Sequence, residues 1–111
     1  MQVYIIYFFG FIDQNALARY LNSFYQIRNW YQYGNILAVL SISPLFEIQT
    51  MLNRFFFGQT FVIVPATGAS TGGNMPPEFW NFINNPKDSG RWPPLQIQYN
   101  NIPNPIPGIM K

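Results

Sequence analysis

A chain of 111 residues has the usual size of one domain, and 49% hydrophobic residues with 19% aromatics supply core material that excludes a wholly disordered chain. Only 9% of residues are charged, for a net charge of +2, so the surface is hydrated by Asn, Gln, Ser, Thr and Tyr and repels its neighbours weakly. Such a surface favours self-association.

The six cations form no cluster, so the counterion release that drives phosphate-backbone binding is not indicated. Cysteine and histidine are both absent, which removes disulfides, thiolate chemistry, imidazole metal ligands and the commonest general base. The longest apolar stretch, Val3 to Ile12, is about half the ~20 residues that span a bilayer. No basic region precedes it, so it does not read as a signal peptide. The expected residence is the cytoplasm or a virus particle, with no membrane partner.

In chain order, Val3-Tyr4-Ile5-Ile6-Tyr7-Phe8-Phe9 is apolar throughout and rich in β-formers, which predicts a central strand buried on both faces. Gly10 ends it and Asp13 is placed to cap a helix. In that helix Leu17, Tyr20, Leu21, Phe24 and Ile27 recur at three- and four-residue spacing, with Arg19, Asn22, Gln26 and Arg28 outward or at its edge. Gly34-Asn35 between two apolar runs is a hairpin signal, pairing a short strand over 29–33 with a strand over 36–42. The alternative extends the helix to Tyr33 and gives a parallel βαβ unit, making the domain a βαβαβ α/β fold.

Ser43-Pro44 predicts a helix start, a hydroxyl cap followed by proline at the first helical position, with Glu47 in the first turn. Leu45, Ile48, Met51, Leu52, Phe55 and Phe56 form its buried face, and Gly58 closes it. Thr60 to Val64 is the next strand. Residues 66–74 read as a mobile loop, and Pro76-Pro77-Glu78 opens a short helix anchored by Phe79, Trp80, Phe82 and Ile83. Six of the ten prolines lie in residues 85–111. There Leu95 to Tyr99 reads as an edge strand, and the last dozen residues as extended chain. The expected organisation is a domain over 1–84 and an extended C-terminal arm over 85–111.

Strand, helix, hairpin, helix and strand form an α+β, ferredoxin-like βαββαβ order. The first-strand Tyr4-Ile5-Ile6-Tyr7, the Trp30 segment, the Ser43–Leu52 helix, Thr60 to Val64 and the Asn74–Asn84 stretch carry a closer resemblance. On these residues the chain resembles the SinR-like family, related to VapD-type RNA interferases and to the small dimeric CRISPR adaptation protein. The resemblance spans roughly residues 3–84 and implies a homodimer in which a late strand crosses to the partner. Members with nuclease activity carry an aspartate at the end of the first strand. Here Phe9 stands there, flanked by Phe8 and Gly10, and a phenyl ring cannot ligate Mg²⁺, which takes oxygen donors.

The carboxylates are Asp13, Glu47, Glu78 and Asp88, and most sit at helix starts, where they complement the dipole rather than form a catalytic pair. Ser41, Ser43, Ser70 and Ser89 have no histidine to activate them. Gly68-Ala69-Ser70-Thr71-Gly72-Gly73 lacks the lysine and the spacing of a phosphate loop, and reads as a connection. The candidate binding residues are Arg19, Arg28, Trp30, Tyr31 and Tyr33, whose rings and guanidinium groups suit stacking on a base or anchoring an interface. No catalytic residue, metal ligand or cofactor is expected. The expected function is a non-enzymatic homodimeric module that binds a protein, a nucleotide or nucleic acid, with oligomerisation through the C-terminal arm. The alternatives are a structural subunit of a virus particle or other assembly, and a divergent metal-dependent nuclease.

Overall fold

The computed structural model describes residues 1–94. The elements are β1 (Gln2–Phe8), α1 (Gln14–Asn22), β2 (Ile27–Tyr33), β3 (Ile36–Ser41), α2 (Leu45–Phe56), β4 (Phe61–Ala66) and α3 (Pro77–Asn84). The four strands form one antiparallel sheet in the order β2-β3-β1-β4, so the domain is mixed α+β. The antiparallel pairing of β2 with β3 excludes the parallel βαβ alternative. The expected strand over Leu95 to Tyr99 and the extended final residues lie outside the described residues.

Side chains alternate across a strand, so β1 feeds two cores. Tyr4, Ile6 and Phe8 face α1 and α2 and pack with Leu17, Leu21, Leu37, Val39, Ile48, Leu52 and Phe56. Val3 faces the other way and packs with Ala38, Leu40, Phe79 and Ile83 beneath α3. The helices thus sit on both faces, two on one and a short one on the other.

Asp13 caps α1 as expected, its Oδ1 accepting from the amides of Asn15 at 2.9 Å and Ala16 at 3.1 Å. The helix stops at Asn22, however, and Ile27 belongs to β2. The apolar spacing continues past the helix end because Phe24 and Ile27 still reach the same core from a turn and a strand. Gly34 takes φ +57° in the hairpin, a backbone that favours glycine. Asn35 ties that turn to β1 by donating to the carbonyls of Phe8 at 2.8 Å and Gly10 at 3.2 Å.

Three local expectations need correction. Ser43 does not cap α2, whose N-cap is Pro44 without a side-chain bond. Ser43 is instead buried, its carbonyl accepting from the Tyr4 hydroxyl at 2.7 Å and its amide donating to Ser41 Oγ at 3.0 Å. The glycine-rich connection is ordered into a 3-10 turn over Gly68–Ser70, where the hydroxyls of Thr67 and Ser70 cap one another's backbone amides. A Cβ on Gly68 would fall on the Asn84 side chain, so the turn lies directly against α3. Finally, Phe79 and Ile83 are the buried anchors of α3, while Trp80 is only partly buried and meets Phe79 edge-on at 5.1 Å.

The two aromatic neighbours on α3 should therefore separate in a thermal melt. Phe79→Ala removes a buried ring and is expected to cost about 3–5 kcal/mol. Trp80→Ala should lose distinctly less, read by calorimetry on both variants. Equal losses would mean that α3 docks through the other ring.

Candidate functional site

The structure scatters the five candidate binding residues. Arg19 is exposed on α1, whereas Trp30 packs on the α1/α2 side of the sheet and donates from Nε1 to Asn22 Oδ1 at 2.7 Å. Tyr31 points to the opposite side, with ring centroids 6.4 Å from both Phe79 and Phe82. Its phenol is pushed above its ordinary value by burial, then by the Glu78 carboxylate and Tyr33. Tyr33 lies on Tyr31's side but beyond α3, and is exposed. Period-two alternation puts Trp30 and Tyr31 on different faces, so the run cannot form one stacking surface.

Arg28 is the largest departure from the sequence reading. It is 1% exposed. Opposite β3, Ile27 pairs with Ser41 and Asn29 with Leu40, so Arg28 is the extra residue of a β-bulge. The bulge turns the side chain away from solvent. Nε meets Asp88 Oδ2 at 2.7 Å, Nη1 donates to the Tyr25 carbonyl at 3.1 Å, and Nη2 to the Pro93 carbonyl at 2.8 Å. Beside it, the Ser89 amide donates to the Arg28 carbonyl at 2.8 Å and Asn29 Nδ2 to the Lys87 carbonyl at 2.9 Å. Arg28 thus fastens residues 87–93 across the start of β2 and has no charge free for a ligand.

Two of the carboxylates are likewise committed. Asp13 caps α1, Asp88 holds Arg28, and Glu47 and Glu78 stand in the first turns of two different helices. Among the described residues no group of three or more His, Cys, Asp or Glu could hold a metal ion. The end of β1 offers no oxygen-donor side chain for a cation. Phe8 is in the core, Phe9 packs edge-on to Tyr7 at 4.7 Å, and Gly10 brings no side chain. A hollow of about 690 Å³ beside α3 is open and has Glu78 as the sole titratable group among its described lining residues.

What remains is a surface. On the α3 side, the register aligns Tyr33, Ile36, Tyr7 and Val62 in one row across the sheet, and Tyr31, Ala38, Ile5 and Val64 in the next. The α3 cluster covers Val3, Leu40 and Ala38, with Ile5, Tyr31 and Ile36 packed against it, and leaves Tyr7, Tyr33, Val62 and Val64 at the margin of the sheet half open. Tyr7 is 43% exposed, Tyr33 53%, Val62 52% and Val64 47%. Phe9 continues the same strip. None of these side chains is charged. The signal in the sequence was the apolar alternate positions of β1 and β4, which outnumber what one short helix can cover.

No family model, curated protein or solved structure matches the chain. Among the described residues no helix is long and apolar enough to cross a membrane.

The Arg28–Asp88 pair makes a prediction about acid. The Gly90 amide, followed by the Arg28 guanidinium and the Arg91 charge, holds the Asp88 carboxyl below its ordinary value of 3.8 despite partial burial. A group whose pKa is lowered by folding stabilises the fold above its unfolded value, and that contribution is lost as pH falls through the folded value. The melting temperature should therefore drop as pH is lowered below about 4. Asp88→Asn should flatten that acid limb and destabilise the protein at neutral pH by about 1–3 kcal/mol, since Arg28 loses its counter-charge. An unchanged acid limb in the variant would place the pair outside the stability of the domain.

Proposed function

We propose that this chain is a non-catalytic, self-associating interaction module with ferredoxin-like βαββαβ architecture, a catalytically silent relative of the SinR-like group. The order β2-β3-β1-β4, with two helices on one face and β1 and β3 in the centre, supports the architecture. The observation that carries the function is the uncharged strip of Tyr7, Phe9, Tyr33, Val62 and Val64 on an otherwise packed sheet. Contiguous apolar surface of this kind marks association sites in small domains. Asp13 caps a helix and Asp88 pairs with Arg28, and the chain contains no histidine or cysteine, which supports a non-enzymatic reading. Oligomerisation through the C-terminal arm over 85–111, with residence in the cytoplasm or a virus particle, belongs to the same proposal.

A structural subunit of a larger assembly is the second reading. Phe46 and Phe57 favour it, being exposed at sites separate from the strip and able to serve further contacts.

Two measurements test these readings. Light scattering of the full chain should give a discrete, concentration-dependent dimer, whereas open-ended growth would favour the assembly subunit and a persistent monomer would remove self-association. Incubation with RNA and DNA over Mg²⁺ and Mn²⁺ should show no cleavage. Cleavage that disappears in Asp13→Asn would instead make this a divergent nuclease.

A further inference from the structure

We propose that the end of the domain carrying Phe11 and Phe57 inserts shallowly into the surface of a phospholipid bilayer. This site is separate from the sheet face and independent of whether the chain associates with itself.

Two phenyl rings stand where polar side chains belong. Turns and loop tips are ordinarily built from Gly, Pro, Asn, Asp and Ser, which suit water and tight backbone. Here Phe11, in the loop from β1 to α1, is 92% exposed, and Phe57, at the C-cap of α2, is 88% exposed. Both line one shallow hollow together with Ile12 and Phe55, so the two tips lie side by side. Phe9, about half exposed, adds a third ring just past the end of β1. Neighbouring apolar side chains left uncovered in this way mark a contact with a protein or a membrane.

Three observations select the lipid. First, rings this exposed project from the surface, and a bilayer receives a projecting ring without needing a matching hollow. Second, the backbone at the tips is already satisfied from within the chain. Asn35 Nδ2 donates to the carbonyls of Phe8 at 2.8 Å and Gly10 at 3.2 Å, and Gln59 Nε2 to the carbonyl of Phe11 at 2.9 Å. The Phe9 amide donates to the Thr60 carbonyl at 2.9 Å, and the Gln59 amide to the Phe56 carbonyl at 2.7 Å. An ordinary surface loop leaves such groups to water, whereas at the acyl boundary each has to find its partner in the protein. The same bonds stitch the two loops together, so little conformational freedom is lost when the rings insert. Third, residues 7–12 and 55–60 contain no charged side chain. The flanking groups are Asp13, whose Oδ1 is taken up by the α1 amides, and Arg54 in the last turn of α2. A cation beside the rings and a carboxylate already used as a cap suit a layer of phosphate headgroups.

Insertion of this kind reaches only about 5–10 Å into the boundary and needs no spanning stretch of ~20 apolar residues. The lack of a long apolar helix among the described residues therefore does not oppose it. Binding by a few rings is reversible, and its strength follows the apolar area buried.

The test is flotation of the full chain with vesicles of phosphatidylcholine alone and of phosphatidylcholine mixed with phosphatidylserine. The parent should float with both, and more with the anionic vesicles. Phe11→Ser, Phe57→Ser should lower the partition coefficient by at least about tenfold on both. Each position is exposed, so the melting temperature and circular dichroism should be kept. Phe46→Ser, exposed at the start of α2 and away from the tips, should bind as the parent does. If the double variant misfolds, Phe11→Trp decides the matter: bromine on the lipid acyl chains should quench its added fluorescence, and no quenching beyond the parent's overturns the proposal. A parent that floats with neither vesicle overturns it too. So does binding to the anionic vesicles alone that survives in the double variant, which would be attraction by charge. A double variant whose mass by sedimentation changes while its vesicle binding does not would make the tips a protein contact instead.

Discussion

The structure depends on one property of β1: it is apolar on both faces. Tyr4, Ile6 and Phe8 demand cover on one side, and Val3, Ile5 and Tyr7 on the other. Water cannot provide it, and an uncovered central strand would forfeit about 25 cal/mol for each Å² of apolar area left exposed. Two amphipathic helices satisfy the first side completely, so Ile6, Leu17, Leu21 and Leu37 are wholly buried. The second side receives only α3, eight residues long. Everything distinctive about the surface follows from that mismatch between four strands and one short helix.

The two sheet edges are handled differently. β2 would otherwise present an open edge, and residues 87–93 lie across its start, held by the pairing of buried Arg28 with Asp88, by the Ser89 amide donating to the Arg28 carbonyl and by Asn29 Nδ2 donating to the Lys87 carbonyl. β4, at the other edge, carries Pro65, whose missing amide weakens it as a template for further strand addition. Edge-to-edge growth is therefore restrained at both margins, while the face near Tyr7 and Val62 is left open. Low surface charge does nothing to oppose contact across that face.

Much of this fold was legible in the chain. The β1 run, the Gly34-Asn35 hairpin and the Ile48/Leu52/Phe56 stripe each carry a local signal of period or turn chemistry that the structure bears out, although Tyr7 leaves one face of β1 partly open and the strand expected to stop at Pro65 runs on to Ala66, paired with Val3. Other features depend on partners distant in sequence. Arg28 reads as a surface cation because its bulge and its partner, 60 residues away, leave no local trace. Ser43-Pro44 has the form of a cap, but the Tyr4 hydroxyl claims the Ser43 carbonyl, and the Ser43 amide turns to Ser41. Phe79 and Trp80 are adjacent large aromatics, and a single rotation of α3 chooses between them. In the candidate site, residues adjacent along the chain lie on opposite faces of the sheet. Alternation could have separated Trp30 from Tyr31 and Tyr33, and the same alternation in β1 and β4 marks the open face.

The most direct test of the account is an isotope-filtered NMR experiment on a mixture of labelled and unlabelled full-length chain. It reports only contacts between copies. The account predicts intermolecular signals from the methyl groups of Val62 and Val64 to the rings of Tyr7 and Tyr33, strengthening with concentration. Signals from Leu45, Phe46 or Phe57 with none from the valines, at concentrations where the mass has doubled, would contradict it.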